Sequence, residues 1–92
     1  MYDVVLSKAY RKALKRIIRF KNFKIAELER VVNVLATKGR LDNKYRDHQL
    51  SGKLSGFREC HVQSDILLVY MYKEQELVLV LIDLGTHSSF FD

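Results

Sequence analysis

The apolar residues of this chain change their spacing once, and that change confines the fold to helices packed on a sheet. They fall first at Tyr10, Ala13, Leu14, Ile17 and Ile18. After a break at 20–23 they recur at Ile25, Leu28, Val31, Val32 and Leu35, so each segment offers one helical apolar stripe. Ser7 stands before the first stripe as a cap for its exposed amides, and Gly39 follows the second, where a left-handed residue would end it. The two helices are expected to pack as a hairpin. Past residue 56 the pattern turns strand-like: 57–62, 66–72 and 77–82 are separated by Gln63-Ser64-Asp65 and by 73–76, and read as an antiparallel meander. Residues 2–6 read as a further short strand. The last two runs are almost continuously apolar, which suits central strands covered by the helices on one face and by the tail on the other. The expected fold is α+β, in the order β-α-α-β-β-β: a helical hairpin on a small antiparallel-rich sheet, with a short C-terminal tail, in one domain over residues 1–92.

Between the two halves, residues 40–56 are polar, contain Gly52 and Gly56 and keep no period, so they read as a long loop of the kind that often carries function. The longest apolar run, 77–82, is far short of the roughly 20 residues that cross a bilayer, and the N-terminus lacks a signal-peptide core. A soluble, cytoplasmic protein with no membrane partner is expected. The single cysteine, Cys60, excludes an internal disulfide and a paired-cysteine zinc site; within an apolar strand it is expected to be a small buried residue. Charge is divided unevenly. Residues 1–40 hold 11 Lys or Arg against 3 Asp or Glu, and the remainder 5 against 8, so a net +8 faces a net −3. Such a field favours phosphate contacts, although a solvated helix face or a dock for an acidic protein would look the same.

The three histidines all lie in the second half: His48 in the long loop, His61 at a strand end four residues before Asp65, and His87 in the tail ahead of Phe90 and Phe91. With Asp65 and Cys60 they are metal-ligand types, but no HxxxH, HExxH or CxxC spacing supports a metal, and none is expected. No GxSxG elbow is present, and the stretch GKLSG at 52–56 lacks the ending of a phosphate loop. Histidines beside a basic surface do suit cleavage of RNA by its own 2′-hydroxyl. That step needs a base for the 2′-hydroxyl proton, an acid for the departing 5′-oxygen and cations for the phosphorane; imidazole can fill the first two roles near neutral pH. DNA, without the 2′-hydroxyl, cannot react this way.

The segments Tyr45-Arg46-Asp47-His48-Gln49-Leu50-Ser51-Gly52, Gly56-Phe57-Arg58-Glu59-Cys60-His61-Val62, 65–70 and Gly85-Thr86-His87-Ser88-Ser89-Phe90-Phe91 resemble the YafQ branch of the RelE toxin superfamily. The patterns D-H-x-L-x-G, G-[FY]-R-x-x-H-V-x-x-D and G-T-H-x-x-x-F occur in order, and the combination is far more specific than any one of them. The resemblance implies a metal-independent mRNA interferase that enters the ribosomal A site beside 16S rRNA, cuts the message and is held inactive by a cognate antitoxin, with no cofactor. It maps function onto His48, His61, Asp65, His87 and Phe91. His87 would be the general acid; His48, or His61 supported by Asp65, would be the base or orient the phosphate; Phe91 would position or stack on the nucleotide. Arg58, Lys44, Arg46, Lys53 and Phe90 are added here as substrate-binding candidates, Arg58 with a structural ion pair as its alternative and Phe91 with a place in the core.

One position departs from the family: close members carry an arginine four residues before the tail histidine, where this chain has Asp83. An acidic group there opposes the developing phosphorane charge unless Arg58 and the loop lysines compensate or Asp83 points elsewhere. Two rivals predict no chemistry. A same-fold topoisomerase poison needs no histidine cluster, and a plain RNA-binding module would keep its binding after loss of His87. An acidic antitoxin docked on the basic face is compatible with catalysis.

Overall fold

The computed structural model describes residues 1–91, the side chain of Phe91 excepted, in the order β1 (Asp3–Leu6), α1 (Lys8–Ile17), α2 (Ile25–Ala36), β2 (His48–Gln49), β3 (Arg58–Gln63), β4 (Ile66–Lys73), β5 (Val78–Gly85) and α3 (His87–Phe91). The sheet runs β1-β5-β4-β3-β2, with β1 parallel to β5 and every other pairing antiparallel. The α+β class, the helical pair and the β3-β4-β5 meander therefore stand as expected. Ser7 makes the first turn from strand to helix: its Oγ accepts from the Tyr10 amide at 3.0 Å and its hydroxyl donates to the Ile82 carbonyl at 2.5 Å.

Tyr10, Ala13 and Ile17 of α1, with Leu28, Val31 and Leu35 of α2, close over Cys60, Val62, Ile66, Leu68, Tyr70, Leu79, Leu81 and Leu84 of the sheet. Alternation along β3 and β4 turns Glu59, His61, Leu67 and Val69 to the opposite face. A bulge brings Leu81 opposite Tyr70 and Asp83 opposite Val69, so β5 runs on to Gly85 instead of ending at 82. An added Cβ at Gly85 would lie 2.4 Å from Ser89 Oγ and 3.1 Å from the Phe90 ring. The tail is thus a short helix folded over the face away from α1 and α2.

Several local expectations change. Ile18 and Ile25 are exposed, because one caps the end of α1 and the other opens α2, where the apolar stripe runs past the sheet. The left-handed residue after α2 is Lys38 (φ 56), not Gly39, whose amide donates to the Val34 carbonyl at 2.8 Å. Lys38 is held there by its ammonium, 2.6 Å from Glu74 and above the rings of Tyr2 and Tyr72. The stretch 40–56 contains β2 and two turns of 3₁₀ helix, elements too short to leave a period in the sequence. Among the described residues no helix is long and apolar enough to cross a membrane.

Two outcomes follow from this packing. The Glu74 carboxyl is held below its usual 4.5 by hydrogen bonds from Lys38 and then Tyr2. A lowered folded value gives stabilisation present above 4.5 and lost as the pH falls. Glu74→Gln should therefore melt below wild type at pH 7, with the gap in Tm closing as the pH is taken down to about 3; a gap independent of pH would show that the carboxylate charge contributes nothing. Gly85→Ala forces a methyl group against Ser89 and Phe90, and should cost about 1–3 kcal/mol in denaturant unfolding. An unchanged midpoint would mean that α3 is not seated on Gly85.

Candidate active site

Asp47 settles where the long loop meets the sheet. Its carboxylate accepts from Arg58 Nη2 at 2.8 Å and from the Tyr70 hydroxyl, linking the loop to β3 and β4. Burial, then the bond to Asp47, pushes the Tyr70 phenol well above its ordinary range, and Asp47 likewise raises Arg58. Just before it, Arg46 is left-handed (φ 51), a conformation that costs a non-glycine residue roughly 1–2 kcal/mol. The Arg46 carbonyl is then aimed at His48 Nδ1, 2.8 Å away. A carbonyl only accepts, so Nδ1 carries the proton and Nε2 is left facing Glu59 Oε1 at 3.5 Å.

This contact follows from the sheet register. His48 stands opposite Glu59, Glu59 opposite Val69 and Val69 opposite Asp83, one rung across four strands. In the neighbouring rung His61 stands opposite Leu67 and Leu67 opposite Gly85, two residues before His87. From standard sheet spacings His61 lies about 8 Å from His48 diagonally and about 10 Å from Gly85. His48 and His61 therefore share the face away from the helices, and His87 opens α3, which folds over that face. His48 is about half exposed, whereas Glu59, at 4% exposure, is the one buried charged residue among those described.

Asp65 has a different place from the one expected of it. Its carboxylate accepts from the His87 backbone amide at 3.2 Å, while the Thr86 hydroxyl accepts from the Ser89 amide at 3.2 Å. Both satisfy open amides at the start of α3, so Asp65 holds the tail histidine and not the ring of His61. Arg58 is also displaced: it lies beside Tyr70 on the helix-facing side of the sheet, its guanidinium engaged by Asp47, which is the ion-pair alternative. Lys44 and Arg46 flank the loop before His48, Lys44 sits over the Tyr45 ring, and Lys53 is in the exposed turn Gly52–Leu54. Phe90 packs at Gly85. The side chain of Phe91 lies outside the described residues.

Asp83 does not point elsewhere. It takes its place in the histidine rung, half-buried, with its carboxylate accepting from the Leu84 amide at 2.8 Å. Glu59 and Asp47 were not singled out in the sequence. Alternation in 57–62 does pair Glu59 with His61 and Arg58 with Cys60, so the sharing of faces was readable; the Asp47 contacts span up to 23 residues and leave no local trace. Among the described residues no three of His, Cys, Asp and Glu converge as a metal ion requires.

A family model described as bacterial toxin of type II toxin–antitoxin system, YafQ, matches residues 2–92. The chain is 38% identical over 47 residues to the mRNA interferase toxin YafQ of Escherichia coli K12, a match covering 51% of this chain and 49% of that one. It thus spans about half the length of the curated relatives it matches. The crystal structure of a metal-bound toxin from Helicobacter pylori superposes with a TM-score of 0.90 at 45% identity, covering 99% of this chain and 100% of that one. The toxin of the E. coli DinJ–YafQ toxin–antitoxin complex gives 0.85 at 27% identity, covering 99% and 98%. With the family pattern running over residues 2–92 and solved toxins following the chain nearly end to end, this protein belongs to the YafQ family of bacterial toxins of type II toxin–antitoxin systems.

Proposed function

We propose that this toxin is an endoribonuclease that cuts mRNA on the ribosome by histidine acid–base chemistry and is held inactive by a cognate antitoxin. The observation that carries this reading is that His48 and His61 share one face of the sheet and that α3, with His87 at its start, folds over that face. His48 serves as base. With Nδ1 donating to the Arg46 carbonyl, Nε2 takes the 2′-hydroxyl proton, and the imidazolium formed is stabilised by Glu59 at 3.5 Å. The 2′-oxygen attacks phosphorus, the bond to the 5′-oxygen breaks, and His87 on α3 gives that oxygen its proton. His61, between them, orients the phosphate. Phe90 and Phe91 supply aromatic surface for a base.

The relatives support the reading in their own terms, one being an mRNA interferase toxin and another a toxin solved with its antitoxin. A ribosomal substrate places the action in the cytoplasm. The exposed lysines and arginines of α1 suit ribosomal RNA in the active state and an acidic antitoxin in the inhibited one.

Primer extension on programmed ribosomes should show discrete cuts with wild type, and His87→Ala should slow them by about 10²–10⁴-fold. An uncut message with wild type would sink the nuclease reading and leave a binding module or topoisomerase poison. Asp65 is a positioning residue, so Asp65→Ala should lose about tenfold in cutting rate, whereas Asp65→Asn, whose amide oxygen still accepts from His87, should retain most of it. The pH profile should keep its shape in both. If Asp65→Asn falls as far as the alanine variant and the profile loses a limb, Asp65 acts in proton transfer itself.

A further inference from the structure

Beside the histidine face lies a cleft of about 810 Å³, within the ~300–1,000 Å³ range of ligand sites. Its walls are the α1–α2 connection, with Lys21 and Lys24, and the loop bearing Lys44 and Arg46; its floor is the outer edge of β3 at His61 and Gln63. That edge is open because β2 pairs only with Arg58 and Glu59. Both ends of the Gln63 amide are engaged: Oε1 accepts from the Lys24 amide and Nε2 donates to the Asn22 carbonyl, each at 2.8 Å. The wall carrying Lys21 and Lys24 is thereby fixed against the strand that bears His61. The cleft's one acid, Glu27, is engaged by the Tyr45 hydroxyl at 2.6 Å, leaving four cations against one carboxylate.

The charge on the histidine face has the opposite sign. Glu59 and Asp83 stand in its central rung and Asp65 at its margin, while Arg58 is turned to the far side of the sheet. A polyanion therefore finds its counter-charge in the cleft. His61 belongs to both the cleft and the histidine face, so a strand with its reacting phosphate at the histidines continues into the cleft. We propose, resting on the nuclease reading, that this cleft carries the phosphodiester backbone adjoining the scissile bond, with Lys21 and Lys24 as phosphate contacts.

The test is fluorescence anisotropy with a short, fully 2′-O-methylated RNA, which binds but cannot be cut, over a series of salt concentrations. The proteins are wild type, Lys21→Ala/Lys24→Ala, Lys21→Arg/Lys24→Arg, and Arg40→Ala/Lys73→Ala, which removes equal charge at exposed positions outside both the cleft and α1. Two lost contacts on a single strand flatten the log–log salt slope by about 1.4, which is about 25-fold weaker binding at about 0.1 M salt. The cleft alanine pair should show that loss, the arginine pair little of it, and the Arg40/Lys73 pair clearly less. Equal losses in the two alanine pairs, normal RNA binding by the cleft variant, or no binding by wild type overturns the proposal; normal RNA binding with lost antitoxin binding reassigns the cleft to an acidic protein segment. Cleavage on ribosomes, run with the same preparations, separates the two readings. Cleft-dependent binding by a wild type that cuts nothing sinks the nuclease and leaves the cleft; cutting by wild type with unchanged binding in the cleft variant sinks the cleft alone.

Discussion

Asp47 accepts two hydrogen bonds from two different strands, and the geometry of the histidine face depends on them. With the buried Tyr45 and its bond to Glu27, Arg58 and Tyr70 are what tie the polar segment from Arg40 to Gly56 to the rest of the fold. With them, the chain arrives at β3 in register, two residues pair as β2, and His48 comes to stand opposite Glu59. Tyr70 is 1% exposed, so removing its acceptor leaves a buried hydroxyl unpaired, a penalty of about 1–3 kcal/mol. That is comparable to what the ladder bonds of a two-residue strand supply, at about 0.5–1.5 kcal/mol each, so the side-chain contacts share in holding β2 in place. The left-handed Arg46 is tolerated for the same reason: the contacts on either side of it fix the backbone, and the strained carbonyl serves to set the His48 tautomer.

The tail is secured by a parallel arrangement on the other side of the sheet. A five-residue helix has too few internal hydrogen bonds to persist alone. Asp65, projecting from the turn between β3 and β4, accepts from the His87 amide, Thr86 caps the Ser89 amide, and Gly85 lets the helix lie directly on the strand. His48 and His87 are thus each held by a carboxylate acting on neighbouring chain, Asp47 for one and Asp65 for the other. Glu59 in turn faces the imidazole of His48 directly.

This division explains what the sequence shows and what it conceals. Helical stripes, the Ser7 cap and the three strand runs are local patterns, and the fold is legible from them to within a few residues at most boundaries. Ile18 and Ile25 mislead because periodicity says which way a side chain points, not whether anything lies beyond the helix end to cover it. The long loop hides β2 because two residues carry no period. Family resemblance picks out Asp65 and His61 as a pair by their spacing, yet the turn between them sends the carboxylate to α3. Arg58 is the clearest case: its one-residue offset from Glu59 sends it to the opposite face, a parity that can be read from 57–62 once the strand is recognised.

The acidic residue at position 83 then takes on a specific meaning. In the rung His48, Glu59, Val69, Asp83, two carboxylates flank an apolar side chain at the centre of the face where a phosphate would have to come. The Leu84 amide donates to the Asp83 carboxylate and shares its charge with the bulged backbone, but it supplies no cation. On the nuclease reading proposed above, such an arrangement would separate the tasks: proton transfer would belong to the histidine face, while compensation of phosphate charge would fall to groups outside it, such as the cationic cleft along β3. An arginine at position 83 would join the two tasks in one place. Under that proposal, their separation would make cleavage depend on how firmly the RNA strand is held beyond the reacting atoms, since binding energy gained there would have to bring a negatively charged phosphate up to Glu59 and Asp83.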